Sequence, residues 1–300
     1  MQKFESLTIW MYTGKGISMG LLTLLARRFV AGQNISNAMK AVKALNDLNI
    51  MATIDYLGED VTSVEDATKA ADEYIRLLDE IDKQKLDSNV SLKMTMMGLD
   101  FDPEFCYKNV KRIVEQAAKY DNFVRIDMEG SPVTQITLDL FYRLRAEHPN
   151  VGIVIQSYLY RTEKDAIEIA EKGYNVRLCK GAYKEKEDVA FQKKEKVNEN
   201  YLDLAKILLD GNGKTAIATH DRKMIEPLRD YIQQKQIRKD MYEWQMLYGI
   251  ERKLQTQLAK DGEPVRVYVP YGDDWLGYFS RRMMERKENF FFALRHFIRG

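Results

Sequence analysis

From residue 50 onward, short runs rich in β-branched and aromatic residues alternate with longer stretches in which apolar residues recur every three or four positions. The runs are IMATIDYLG (50–58), VSLKMTMMG (90–98), FVRIDME (123–129), VGIVIQSY (151–158), NVRLCKGAY (175–183), TAIATHD (215–221), YEWQMLYG (242–249) and PVRVYVPYG (264–272). A repeat of roughly thirty residues, strand then helix, is the pattern of βα units with parallel strands. Helical patterning is clearest at 63–81, 103–120 and 193–211, with acids early in several of these segments. Eight units predict a closed (βα)8 barrel of the α/β class, a distorted TIM-type barrel here; an open doubly wound sheet is the alternative.

Residues 1–48 are helix-patterned and precede the first strand, so they are expected to form an N-terminal helical arm, with 49–300 as the barrel. After the eighth strand, DDWLGYFSRRMMERKEN reads as a last helix with Asp273 and Asp274 near its N-terminus. On it Arg281 and Glu285 are i,i+4 neighbours, and Arg282 is turned by about 100°. Both guanidiniums can reach one carboxylate lying beside the helix, and the fork geometry suits arginine to that task. A solvated RRxxE face is the plainer alternative.

Composition narrows the function classes. The 300 residues carry 46 Lys and Arg against 45 Asp and Glu, so no overall field points to nucleic acid. Both ends are locally basic, with six cations against two acids in 1–48 and again in 281–300. That asymmetry suits either a solvated face or peripheral contact with an anionic membrane surface. The most apolar stretch, ISMGLLTLLA, is too short to span a bilayer, and the N-terminus lacks an apolar run of signal-peptide length. Cys106 and Cys179 have no metal-ligand or CxxC spacing, which fits a reduced, cytoplasmic setting.

Strands covered on both faces read as near-continuous apolar runs, and a charge inside one is costly unless paired or functional. Yet Lys93 lies in SLKMT, Asp127 follows VRI, and Gln156 follows IVI; Arg177 and Lys180 flank LC, and Thr219 and His220 stand at the end of the sixth run. Gln245 lies in EWQML and Tyr268 in VRVYVP. A single residue of this kind is a salt bridge capping the barrel; seven strands doing it together point to a site at their C-terminal ends. Other signals are discarded. GKGISMG has the wrong glycine spacing and no preceding strand for dinucleotide binding, the three histidines form no ligand pair, and GxSxG is absent. Read from the residues alone, a Schiff-base lysine at Lys93 or Lys180 and a non-catalytic docking module stay open beside a redox enzyme.

The segments VRLCKGAY, ATHD, QMLYG, VYVPYG and RRMMER, in that order, resemble those of the flavin-dependent proline dehydrogenases. RRFVAG and ATIDYLGE resemble the short, monofunctional bacterial members, and the likeness extends over residues 20–300. It implies an FAD-binding barrel that oxidises L-proline to Δ1-pyrroline-5-carboxylate and hands electrons to a quinone or other acceptor, with the last helix over the barrel mouth. By the same resemblance Arg281 and Arg282, steadied by Glu285, grip the substrate carboxylate with Lys93, and Asp127 and Arg177 are the catalytic pair. Met128, Gln156, Arg177, Lys180, Gly181, Ala182, Thr219 and His220 fall on flavin-contact positions, and Leu247 and Tyr268 on the wall over the proline ring. Asp127 is expected to orient Lys93 or an arginine rather than to take a proton. The bulk of Tyr268 predicts proline over hydroxyproline.

Overall fold

Parallel strands that close into a ring have two different faces, and this sequence assigns opposite chemistries to them. On β5 (Val176–Cys179) Val176 and Leu178 belong to the apolar core shared with the surrounding helices, while Arg177 and Cys179 line a central cavity. The same division by alternate residues holds on β3 (Val124–Asp127) and β8 (Val265–Tyr271), where valines and isoleucine alternate with Arg125, Asp127, Arg266 and Tyr268. The barrel is therefore held from outside by apolar packing and filled inside by polar groups.

The computed structural model describes residues 28–58 and 61–273. Residues 1–27 of the predicted arm, and the predicted last helix from residue 274 on with Arg281, Arg282 and Glu285, lie outside the described residues. In chain order the elements are α1 (Ile35–Asn46), β1 (Met51–Tyr56), α2 (Val64–Lys83), β2 (Ser88–Lys93), α3 (Pro103–Lys119), β3, α4 (Ser131–Glu147), β4 (Val151–Gln156) and α5 (Thr162–Glu171). Then follow β5, α6 (Lys194–Leu209), β6 (Thr215–Ala218), α7 (Arg222–Gln234), β7 (Tyr242–Leu247), α8 (Arg252–Lys260) and β8. The strands close in sequence order into an eight-stranded parallel barrel, with β8 returning to β1 in register from Met51 opposite Arg266 to Tyr56 opposite Tyr271.

Helix starts follow their local chemistry. Ser63 caps α2 by accepting from Asp66 N–H, and its hydroxyl donates back to the Asp66 carboxylate at 2.7 Å. Asp102 caps α3 with Pro103 in the first turn, and Asp221 caps α7 by accepting from Lys223 N–H. Helix α1 packs across β8 and β1, burying Ala38, Met39, Val42 and Leu45 against that seam. In a regular barrel a helix following the last strand covers this position.

The strands end earlier than the sequence pattern predicts. β2 stops at Lys93, whose partner Asp127 is the last residue of β3, and the predicted continuation through Gly98 is a turn. Met94 and Met97 keep the appearance of a strand because both are fully buried, but they pack beneath the loop. Likewise β5 ends at Cys179 and β6 at Ala218, so Lys180, Gly181, Ala182, Thr219 and His220 lie on the loops above the sheet.

Candidate active site

At the C-terminal ends of the strands a cavity of about 930 Å³ opens into the barrel. Thirteen residues singled out from sequence line it: Lys93, Asp127, Met128, Gln156, Arg177, Lys180, Gly181, Ala182, Thr219, His220, Gln245, Leu247 and Tyr268. They come from seven strands or the loops that follow them, β2 to β8.

Arg177 is at the centre of the floor. Its Nε–H donates to Gln245 Oε1 at 2.5 Å, one N–H of Nη1 to Asp127 Oδ1 at 2.6 Å, and one of Nη2 to Ser91 Oγ at 2.9 Å. Among the described residues three of its five N–H groups are thus taken, each by a different strand. Asp127 is held in turn from its other oxygen, which accepts from the Tyr268 hydroxyl at 2.8 Å. The Tyr268 ring lies with its centroid 5.3 Å from the Arg177 guanidinium carbon. Among the described residues the cation that meets Asp127 is Arg177.

Lys93 is held by a different acid. Its ammonium donates to both oxygens of Asp55, 2.8 Å to each, and Asp55 is fully buried on β1. Tyr74 from α2 stands behind it, donating to Ser91 O at 2.7 Å and lying 3.4 Å from Asp55 Oδ1. Burial works against the Lys93 ammonium, but the charges of Asp55 and Asp127 outweigh it and raise its pKa above the ordinary lysine value. Burial first, then the charges of Asp127 and Asp55, push the Tyr268 phenol well above the usual tyrosine range.

Beneath this layer, Glu243 joins Gln245 Nε2 at 2.5 Å, Arg266 Nε at 2.9 Å and Lys214 Nζ at 2.9 Å. Burial opposes its charge, yet Arg266 and Lys214 hold the carboxyl far below the usual glutamate range. Arg125 meets carbonyl oxygens of Ile153 and Asn175 and the Asn175 side chain, and it has no carboxylate partner among the described residues. Burial and the neighbouring Arg177 draw its pKa down to about 9, still above neutrality. Among the described residues, Lys93, Arg125, Arg177, Arg266 and Lys214 thus face Asp55, Asp127, Glu129 and Glu243 across these layers.

On the far wall the loops after β5 and β6 meet. Lys180 Nζ lies 3.2 Å from Asp221 Oδ2, Thr219 Oγ1 accepts from Asp221 N–H, and His220 Nε2 accepts from Leu247 N–H at 2.8 Å. Gly181 has φ +110, and a Cβ there would stand 2.3 Å from the Tyr158 ring. Only glycine lets the 180–182 turn lie this close to Tyr158. Gln156 is fixed from one side, its Nε2 donating to Met128 O at 2.9 Å and Glu129 O at 3.1 Å. Its buried Oε1 has no partner among the described residues.

Sequence reasoning missed Asp55, Ser91, Glu243 and Arg125, and it noted Gln245 without a role. Asp55 was accessible to the test that found the others, a charge inside an apolar strand. Its pairing with Lys93 follows from the β1–β2 register, which sets Asp55 opposite Ser91, two residues before the lysine.

Residues 38–293 match the family model described as proline dehydrogenase. The chain is 42% identical over 270 residues to "Proline dehydrogenase 2" of Bacillus subtilis (strain 168), covering 90% of this chain and 89% of that one. It is 39% identical over 281 residues to "Proline dehydrogenase" of Deinococcus radiodurans, covering 92% and 91%. Among solved structures it resembles proline utilization A (PutA) from Bdellovibrio bacteriovorus inactivated by N-propargylglycine, with a TM-score of 0.82 and 26% identity, over 89% of this chain and 33% of that one.

Proposed function

The chain belongs to the proline dehydrogenase family, whose reaction opens proline breakdown, and on that premise we propose that it oxidises L-proline to Δ1-pyrroline-5-carboxylate with FAD as cofactor and a quinone-type electron acceptor. The observation that carries the cofactor is the unmet acceptor of Gln156: its amide nitrogen is occupied, so its buried oxygen calls for a donor such as a flavin ring N–H. The donor set around it fits the rest of that group. Lys180 and the Gly181–Ala182 turn offer a cation and backbone amides, Thr219 and His220 continue the same wall, and Arg177 keeps two N–H groups for a ligand. When bound, FAD supplies the two-electron acceptor that these side chains lack.

The chain's own residues bind and orient. Lys93, held protonated by Asp55, is one cation for the proline carboxylate; Arg281 and Arg282, with Glu285 steadying them, supply the others. Leu247 and Tyr268 form the wall over the pyrrolidine ring and exclude water from it. Asp127 fixes both Arg177 and the Tyr268 hydroxyl, so the catalytic pair and the wall move as one unit. The cations that line the cavity, Lys93, Arg177 and Lys180, favour electron density arriving at the site. A Schiff-base lysine needs a lowered pKa, and Lys93 is driven the other way.

No described helix is long and apolar enough to cross a membrane. We expect a catalytic barrel of residues 49–300 behind an arm of residues 1–48, in the cytoplasm, with the basic ends touching the membrane surface where a lipid-soluble quinone is met. The test is the visible spectrum of the purified protein, recorded anaerobically before and after L-proline. Yellow colour that bleaches is expected. A yellow protein that stays oxidised would move the substrate to another cyclic amino acid, and a colourless one that FAD cannot restore would overturn the flavoenzyme reading.

A further inference from the structure

A glutamine side chain presents an acceptor or a donor according to how its amide is turned, and an arginine Nε–H can be met only by an acceptor. Gln245 is turned with Oε1 on Arg177 Nε, and its Nε2 is captured by Glu243 Oε1, both at 2.5 Å. Glu243 can only accept, because Arg266 Nε and Lys214 Nζ, both donors, engage its carboxylate as well. A neutral amide at 243 would lose this one-way character, since it could donate to Gln245 as well as accept from it.

We propose that Glu243, which does not line the cavity, is a positioning residue for the oxidation: acting through Gln245, it fixes the rotation of the Arg177 guanidinium and so aims the two remaining N–H groups at the cofactor. The inference rests on the flavoenzyme reading above. The guanidinium is planar, and its free N–H directions are set once Nε, Nη1 and Nη2 are each tied to a different strand. Asp127 and Ser91 anchor the Nη side, and the Gln245–Glu243 pair anchors the Nε side. Releasing the Nε side lets the plane swing about the Asp127 contact.

The test compares the flavin-loaded wild type with Glu243→Gln and with Glu243→Gln/Arg266→Met. The double variant removes both charges of the buried pair, so an unpaired arginine does not confound the outcome. Lys214, about one-third exposed, remains solvated in both. Three quantities are read: the ¹⁵N–¹H resonance of Arg177 Nε, assigned with Arg177→Lys; the reduction potential of the bound flavin; and kcat apart from KM for L-proline. The Arg177 resonance is expected to move in both variants and the potential to fall. The kcat should drop about tenfold to a hundredfold, with KM within about twofold of wild type. Folded variants with the wild-type resonance, potential and kcat would overturn the proposal. A wild type that takes up no flavin would defeat the flavoenzyme reading instead, and the Nε resonance alone would then decide whether Glu243 sets Arg177.

Discussion

Lys93 is gripped by both oxygens of a single carboxylate, and that carboxylate, Asp55, is fully buried on the adjacent strand. An ammonium has three N–H groups, so two point inward to Asp55 and the third is left for the cavity that Lys93 lines. Asp55→Asn is expected to leave FAD bound and to raise KM for L-proline about tenfold, because the lysine loses its aim as well as its charge partner. Removing one member of a buried pair also lowers stability, here by about 1–3 kcal/mol given that Lys93 is partly exposed. Steady-state kinetics and thermal unfolding check both, and an unchanged KM would remove Lys93 from the carboxylate clamp.

Asp127 ties Arg177 to Tyr268 through its two oxygens. Asp127→Asn should keep the protein yellow while lowering kcat about a hundredfold, since the charge facing Arg177 is lost and the new amide nitrogen either opposes the arginine N–H or turns the phenol from donor to acceptor. Flavin content after purification and turnover with L-proline measure this. Loss of FAD from the variant would mean that Asp127 belongs to cofactor binding.

Tyr268 bears on substrate choice. Its hydroxyl is pinned at 2.8 Å to Asp127, so the ring cannot swing aside to admit a 4-hydroxyl. The wild type is expected to favour proline over hydroxyproline by at least about tenfold in kcat/KM, and Tyr268→Ser to narrow that ratio. Equal values for the two substrates in the wild type would refute the steric argument.

Acid stability should carry the signature of Glu243. Its carboxyl is depressed in the folded protein despite burial, because Arg266 and Lys214 face it. A group with a lowered folded pKa gives stability that is complete above its unfolded value and is lost as pH falls toward the folded one. The melting temperature should therefore decline below the ordinary glutamate range, near pH ~4. Glu243→Gln/Arg266→Met should show a shallower decline, and superimposable curves would exclude the pair as a source of acid sensitivity.

How much of this was legible beforehand differs by residue. The eight strands could be read because β-branched runs return at a regular spacing, and Arg177 or Asp127 stood out because a charge amid valines and isoleucines has to be explained. The strand ends could not be read. Met94 and Met97 are as buried in the loop after β2 as they would be in a strand, so hydrophobicity alone does not mark where pairing stops. Partnerships were equally hidden. That Lys93 belongs to Asp55 and Arg177 to Asp127 depends on register, and the part played by Gln245 depends on which way an amide is turned, which no pattern of residue types encodes.

The seam between β8 and β1 is sealed by α1, a helix that precedes the first strand. Within the described residues the eight strands therefore close into a cylinder, with α1 over the last seam. Removing the residues after 273 should leave a barrel that still melts cooperatively while losing its hold on proline. The strand that α1 helps to seal, β1, also carries Asp55, so closure of the cylinder and the hold on Lys93 are set by one stretch of the polypeptide.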